Sequence, residues 1–386
     1  MTKRILIGTR KGTFLVEKNG SWKPRLAGHA GVGVNFVAAD PNSGTLWAAL
    51  GHGHWGAKMS RSDDGGATWT DAAQVKYPEG ARYFSPPNPG EETDPSARHV
   101  LRPATLLKLW AIAFGGPGQV YVGTIPGGLF VSNDNGASFE LNRPLWNHES
   151  RGGNLFDTDG TGITHWFGTP ASEGGEFAAG LHSIEVDPRN PQRILVAISS
   201  AGVLESTDGG QSWRGRNRGM TNDYLPNAEA EWGHDPHAIQ ICPGEPDHVW
   251  QQNHCGVFYS SDGAVTWKKV SQPDQGVHFG FPIAVDETNG RCAYVVPGVS
   301  DAKRMAIDGG LFVARTEDGG ETWKQLRRGL PQEVAYDVVY RHALHISGDC
   351  LAFGSTTGNL YVSEDRGESW VTVVSTLPPI YSVRFA

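Results

Sequence analysis

One eight-residue pattern recurs six times and limits the folds open to this chain more than any other feature. Ser/Thr-x-Asp-x-Gly-x-Ser/Thr-aromatic is found as SDDGGATW (62–69), SNDNGASF (132–139), STDGGQSW (206–213), SSDGAVTW (260–267), TEDGGETW (316–323) and SEDRGESW (363–370), with Ala264 in place of Gly in the fourth copy. The Asp side chain accepts hydrogen bonds from backbone N–H groups of a tight turn. The Gly takes a backbone conformation that other residues avoid. The aromatic folds back into an apolar layer. Each copy is thus a self-stabilised corner of a hairpin, and its Asp and Ser are assigned to structure rather than catalysis.

Two apolar, period-two segments precede each corner, as in RILVAISSAGVLES (193–206), QVYVGTIPGGLFVS (119–132) and CLAFGSTTGNLYVS (350–363). A third lies further upstream, as in LHSIEVDP (181–188), HAIQICP (237–243) and FPIAVDE (281–287). With the strand after the corner, each unit has four strands, and such units repeated around a ring make a propeller. The 51 Gly and 24 Pro suit a chain of many turns. A seventh unit, RILIGTRKGTFLVEKNGSWK (4–23), lacks the Asp and has no inner strand before it, while IYSVRFA (380–386) is an inner strand with nothing after it. Pairing the two ends closes the ring and removes open edges. The expected fold is all-β: a seven-bladed β-propeller with four-stranded antiparallel blades, closed by the C-terminal strand joining the N-terminal blade. The expected blades are 380–386 plus 1–26, 33–75, 108–142, 181–216, 236–270, 280–326 and 335–374, all in one domain spanning 1–386. The repeated corner resembles the Asp-box (BNR) repeat of sialidases, sortilin-type receptors and photosystem assembly factors, which are β-propellers.

A net charge of −8, with no basic run, argues against nucleic acid and membrane surfaces as partners. No window approaches the apolar length of a membrane span, and the start MTKRILIGTRKGTFLVE does not read as a secretory signal. The four Cys show no CxxC spacing and read as reduced thiols. A cytoplasmic location is the expectation; the oligomeric state is left open.

The corners join third and fourth strands and lie on one face. The turns between second and third strands, and the links between blades, lie on the other, where ligands reach the channel. Eleven of the 14 His map to that second face. Aligning the inner strands rings the channel mouth with Asn35, Trp110, His182, His237, Phe281, Tyr336 and Tyr381. His182, His237 and His254 are the expected ligands of one divalent transition metal (Zn, Mn, Fe, Ni or Cu), with His234 as a fourth ligand or supporting partner. Asp235 is expected to orient an imidazole or act with Glu229 and Glu231 as acid or base. Arg10, Lys11, His52, His54, Trp55, Trp110, Trp232, Tyr336 and Tyr381 are the expected substrate contacts, the cations for an anionic group and the aromatics for stacking on a sugar. GHGHWG (51–56) matches GxGxxG, but no helix follows it, so no nucleotide cofactor is expected. Ser199 and Ser200 lack a nucleophile-elbow context. Cys255 is a thiolate candidate beside His254, with an inert buried thiol the plainer reading.

Across GTRKG (8–12), GH-G (51–53, 56), LHSI (181–184), GHDPH (233–237) and QNHCG (252–256), the chain resembles a bacterial group of BNR-repeat, sialidase-like glycosyl hydrolases. The resemblance implies hydrolysis of a glycoside or similar small polar substrate. True sialidase chemistry is not expected, because the early inner strand VGVNFVAADP (32–41) has no arginine to clamp a substrate carboxylate. The alternatives are a non-enzymatic protein-binding or assembly module and a metal-dependent lyase acting on a uronic sugar.

Overall fold

The computed structural model describes residues 4–87, 99–157, 164–166 and 178–386. Parts of two long links, 88–98, 158–163 and 167–177, lie outside the described residues. The described chain forms seven four-stranded sheets and one two-stranded hairpin, Arg82–Ser85 with Val100–Pro103. Within every four-stranded sheet, neighbouring strands are antiparallel and follow chain order. The exception is the first blade, whose inner strand is Ile380–Phe385, paired antiparallel with Arg4–Thr9. The inner strands of blades 2 to 7 are Gly33–Ala39, Lys108–Phe114, Leu181–Val186, Pro236–Ile241, Gly280–Val285 and Leu344–Ser347. Helix is almost confined to one turn, Arg143–Trp146. Among the described residues no helix is long and apolar enough to cross a membrane.

The blades pack face to face, so their second strands are covered on both sides. This is why Ile194–Ile198 and Cys350–Gly354 are buried at every position and why Trp47 and Trp250 are fully buried.

The repeated corners behave as the sequence demands. Asp208 Oδ1 accepts from the Ser206 hydroxyl (2.7 Å) and from the N–H of Gln211 and Ser212 (both 2.9 Å), while Oδ2 accepts from the Ser212 hydroxyl (2.5 Å). Ser206 Oγ in turn accepts from the Gly210 N–H (2.7 Å). Gly210 has φ +90°, and a Cβ there would strike Asn142 of the preceding blade. Ala264, in the same place in its copy, still takes φ +65°. Arginines then tie corner to corner. Arg61, Arg193 and Arg315 each donate to a backbone carbonyl in the corner of the next blade (Asn135, Gly263 and Arg366), while Arg291 donates to Asp318 in the corner of its own blade. Arg193 also holds Asp187 (2.8 Å) and Glu205 (2.7 Å), both 2% exposed.

Candidate functional site: the channel mouth

Six inner strands carry a pairing irregularity at one shared level, and it leaves Asn35, Trp110, His182, His237, Phe281 and Tyr381 outside the ladder. A bulge re-aims the side chain it carries, so these residues form a ring at the entrance of the channel. The seventh blade corrects the expected ring. Its inner strand starts at Leu344 rather than at 335. Leu344 faces Phe353 as Ile184 faces Val196, and Leu351 and Ile194 each pair with the serine that opens a corner. This register gives the ring position to His342. Tyr336 lies on the preceding link, 59% exposed.

On blade 5 the ring residue His237 meets Asp235, from the link, and His254, from the turn between second and third strands. One ligand atom from each lies within 4.8 Å of the other two. His237 Nε2 is 3.5 Å and His254 Nδ1 3.7 Å from Asp235 Oδ2. The His254 N–H donates to the Asp235 carbonyl (2.8 Å), which fixes turn against link. His237 Nδ1 donates to the Gly280 carbonyl at 2.6 Å. A carbonyl only accepts, so the proton of a neutral His237 sits on Nδ1 and the lone pair of Nε2 faces Asp235. Burial holds His237 below its usual pKa, against the pull of Asp235. Burial pushes the Asp235 carboxyl up, but the attraction of His237, exerted when that ring is protonated, and the lasting charge of Arg341 outweigh this and hold it below the carboxylate range. Two acceptors thus face each other across the trio, and Asp235 Oδ1 is buried with no hydrogen-bond partner. A cation between them would relieve both.

The rest of the mouth is aromatic and basic. The Arg341 guanidinium lies 5.0 Å from the ring centroids of both Trp110 and Phe281, and Phe281 stacks on His237 at 4.7 Å. His182 packs edge-on against Trp110 at 5.0 Å. It is fully buried, both its ring nitrogens lack a partner, and burial followed by Arg341 keeps it neutral. On blades 1 and 2 a polar cavity of about 320 Å³ gathers Arg10, Asn35, His52 and Tyr381 between glycine walls. His52 Nδ1 accepts from the His54 and Trp55 N–H groups, so Nε2–H is the donor it has left.

Several expected contacts lie elsewhere. His234 is buried and turned back on its own link, its Nε2 donating to the Ala230 carbonyl (2.7 Å). His182 is a neighbour of the trio rather than a member of it. Glu231 and Trp232 lie over Gly215, on the outer strand of blade 4, where Trp232 meets His148 edge-on at 5.5 Å. The link leaves that outer strand, meets His254 edge-on through Tyr224 (ring centroids 5.6 Å) and turns back over Gly215 before it enters the mouth at Asp235, which keeps Glu231 and Trp232 away from the trio. Glu229 is exposed and its N–H is bonded to Asn227. Lys11 does not line the cavity that holds Arg10, and Trp55 is 71% exposed at the tip of its turn, with His54 edge-on against it. Ser199 Oγ accepts from the Gly180 N–H and so pins the entry to its blade. The Cys255 thiol, held by burial and by Asp223 at about 12, is protonated.

The inner strands' own charges were not singled out from sequence: Arg341 at the mouth, Glu185 and Arg384 below it. The signal was available, since each is a charged residue in or beside a short apolar inner strand.

No family model matches the chain. An oligoxyloglucan-reducing end-specific xyloglucanase of Emericella nidulans is 27% identical over 177 residues, which are 42% of this chain and 20% of that protein. The chain therefore spans about a fifth of that relative. Among solved structures, an ancestral GH74 enzyme superposes with a TM-score of 0.55 at 15% identity, over 92% of this chain and 38% of its own. A protein from Bacteroides fragilis NCTC 9343, provisionally a 6-phosphogluconolactonase, superposes with a TM-score of 0.57 at 10% identity, over 100% and 98% of the two chains. The chain is an all-β, seven-bladed propeller with weak similarity to glycoside hydrolases over part of its length.

Proposed function

We propose that this protein is a hydrolase of a glycoside or similar small polar, carbohydrate-like substrate, and that its chemistry depends on a divalent transition metal held at the channel mouth by Asp235, His237 and His254. The observation that carries the proposal is the trio itself: three ligand atoms within 4.8 Å, with the His237 lone pair turned inward by the Gly280 carbonyl. A carbonyl on the far nitrogen is the usual orienting partner of a metal-bound histidine. Two nitrogens and one oxygen suit Zn, Mn, Fe, Ni or Cu. Three protein ligands leave a position for water or substrate, and such an ion supplies a water of lowered pKa or polarises a leaving oxygen.

The side chains around the trio have separate tasks. Trp110 and Tyr381 offer aromatic surface for a sugar ring. Arg341 stands ready for developing negative charge, and Arg10 with His52 Nε2–H binds the distal end of the substrate. Among the described residues no second carboxylate joins the trio. A glycosidase working through two flanking carboxylates is therefore less well supported at this mouth than a metal-assisted one. The weak glycoside hydrolase similarity favours the substrate class.

Plasma mass spectrometry on untagged protein, beside a His237→Ala/His254→Ala variant, is the test. The expected result is near-stoichiometric metal in the parent, lost in the variant, with metal-dependent cleavage of aryl glycosides or sugar lactones. No bound metal after each candidate ion has been supplied would overturn the metal centre and make a protein-binding propeller the better reading.

A further inference from the structure

His342, on blade 7, reaches across to blade 4, where its Nε2 donates to the His182 carbonyl at 2.6 Å. Beneath this crossing lies a cavity of about 350 Å³, within the range of small-molecule sites. It runs down past Pro41, Phe114 and Phe385, at the far ends of inner strands, on the face of the repeated corners.

Its lining follows the register. Three positions after the ring residue, six blades line the cavity with Ala38, Ala113, Glu185, Gln240, His345 and Arg384, and blade 6 contributes Ile283. The alanines leave the space; the other four blades fill the wall with polar groups. Part of this polarity is structural. Glu185 Oε2 accepts from the Ile241 N–H (3.0 Å) and Gln240 Oε1 from the Val285 N–H (3.0 Å), so both cap the open edge of the next inner strand. His345 Nδ1 accepts from the Phe385 N–H. Other valences remain. Among the described residues, Glu185 Oε1 and Gln240 Nε2 have no hydrogen bond. Arg384 uses Nη1 alone, toward the carbonyls of His342 (2.7 Å) and Val383 (2.8 Å), with its guanidinium 4.7 Å from the Phe36 ring centroid. Among the described residues Arg384 has no carboxylate and Glu185 no cation within ion-pair distance, and the two act on each other only across the channel. Glu185 and Arg384 belong to blades on opposite sides of the ring, so the gap between them is the cavity.

Both side chains are partly buried in the channel wall, and a guanidinium with no carboxylate at bonding distance, like a carboxyl with an idle oxygen, keeps hydrogen-bonding capacity for a ligand. Burial raises the Glu185 carboxyl to about 7 and lowers Arg384 to about 10. Near neutral pH the cavity carries more positive than negative charge.

We propose that this lower cavity is a second binding site, separate from the mouth, for a small hydroxycarboxylate: Arg384 receives the carboxylate, and Glu185 Oε1 with Gln240 Nε2 receives the hydroxyls on the facing wall. The site does not depend on the proposed hydrolase activity.

Titration calorimetry with sodium gluconate and sodium glycerate tests it, with acetate, glycerol and sulfate as controls. The expected result is saturable binding of a hydroxycarboxylate, at least about tenfold tighter than acetate, as the loss of a charge-assisted hydrogen bond implies. Arg384→Met abolishes it. Glu185→Gln, which keeps the acceptor for Ile241 and so guards against a folding artefact, weakens it about tenfold. The His237→Ala/His254→Ala variant binds as the parent does, so failure of the mouth proposal leaves this one standing. Equal binding of sulfate, acetate and gluconate would reduce the site to an adventitious anion. No binding of any probe, or binding indifferent to both cavity variants, would leave a water-filled channel and overturn the proposal.

Discussion

The two faces of the propeller use the same residue types to opposite ends. On the face of the repeated corners, Asp208 accepts four hydrogen bonds within six residues of chain, and its partner Ser206 is engaged as both donor and acceptor. At the mouth, Asp235 keeps one oxygen with no partner, His182 keeps two idle nitrogens, and His237 turns a lone pair toward a carboxylate. The difference separates structural polar groups from those available for chemistry. An acid whose valences close locally stabilises its own turn. A buried acid whose valences stay open is costly to the fold and points to a ligand.

That contrast can be broken by experiment. The largest effect is expected at Arg193, which joins Asp187 and Glu205 to the corner of the next blade. Arg193→Leu leaves two nearly buried carboxylates short of a partner and should cost about 3 kcal/mol in urea unfolding, with metal content unchanged. Glu205 keeps Arg214 and Arg216, so the cost falls at the low end for a broken buried pair. The mouth should behave in reverse. His237→Ala/His254→Ala should lower metal affinity by at least about 100-fold, while the urea midpoint measured without metal holds or rises. A parent-like metal content with a collapsed midpoint would make the trio structural and erase the contrast. Next, Ser206→Ala leaves the buried Gly210 N–H unpaired and should cost about 1–2 kcal/mol without touching metal binding.

The smallest effect is a pH slope. Burial lowers His345 to about 3 and His29 to about 4. Both values lie below those of the unfolded chain, so the unfolded state takes up protons first as pH falls. Their contribution is whole above about pH 6.5 and is lost as pH falls, down to about 4 for His29 and about 3 for His345. Urea midpoints at stepped pH should fall across that window, and His345→Gln should flatten the fall.

The ring of blades was legible because each corner repeats a local, self-sufficient design, so short-range sequence carries it. The ring residues Trp110, His182, His237 and Tyr381 were legible for a related reason: their strands share a recognisable end or a closing role. The seventh inner strand ends in Ser-Gly-Asp (347–349) rather than Asp-Pro, which moved the expected position to Tyr336 and hid His342. The acid–base expectation for Glu231 failed on distance. A link residue can stay near either of the strands it joins, and composition does not say which. Asp235 and His254 lie beside His237, but the inward lone pair depends on Gly280, 43 positions away. No local pattern contains that contact.

The closing strand gives both proposed sites a time of birth. Ribosomes make residues 380–385 after all the preceding blades, yet these residues supply Tyr381 to the mouth and Arg384 to the lower cavity. A nascent chain that has folded blades 2 to 7 still exposes the bare edge of Arg4–Thr9, and it has neither a finished mouth nor a guanidinium in its channel. Neither proposed site is therefore complete until translation has passed the last blade, although the Asp235–His237–His254 trio is already in place on blade 5. A chain that stalls or is clipped just short of Ile380 would carry nearly all of the fold and neither complete site, and its open edge would mark it for pairing with another chain.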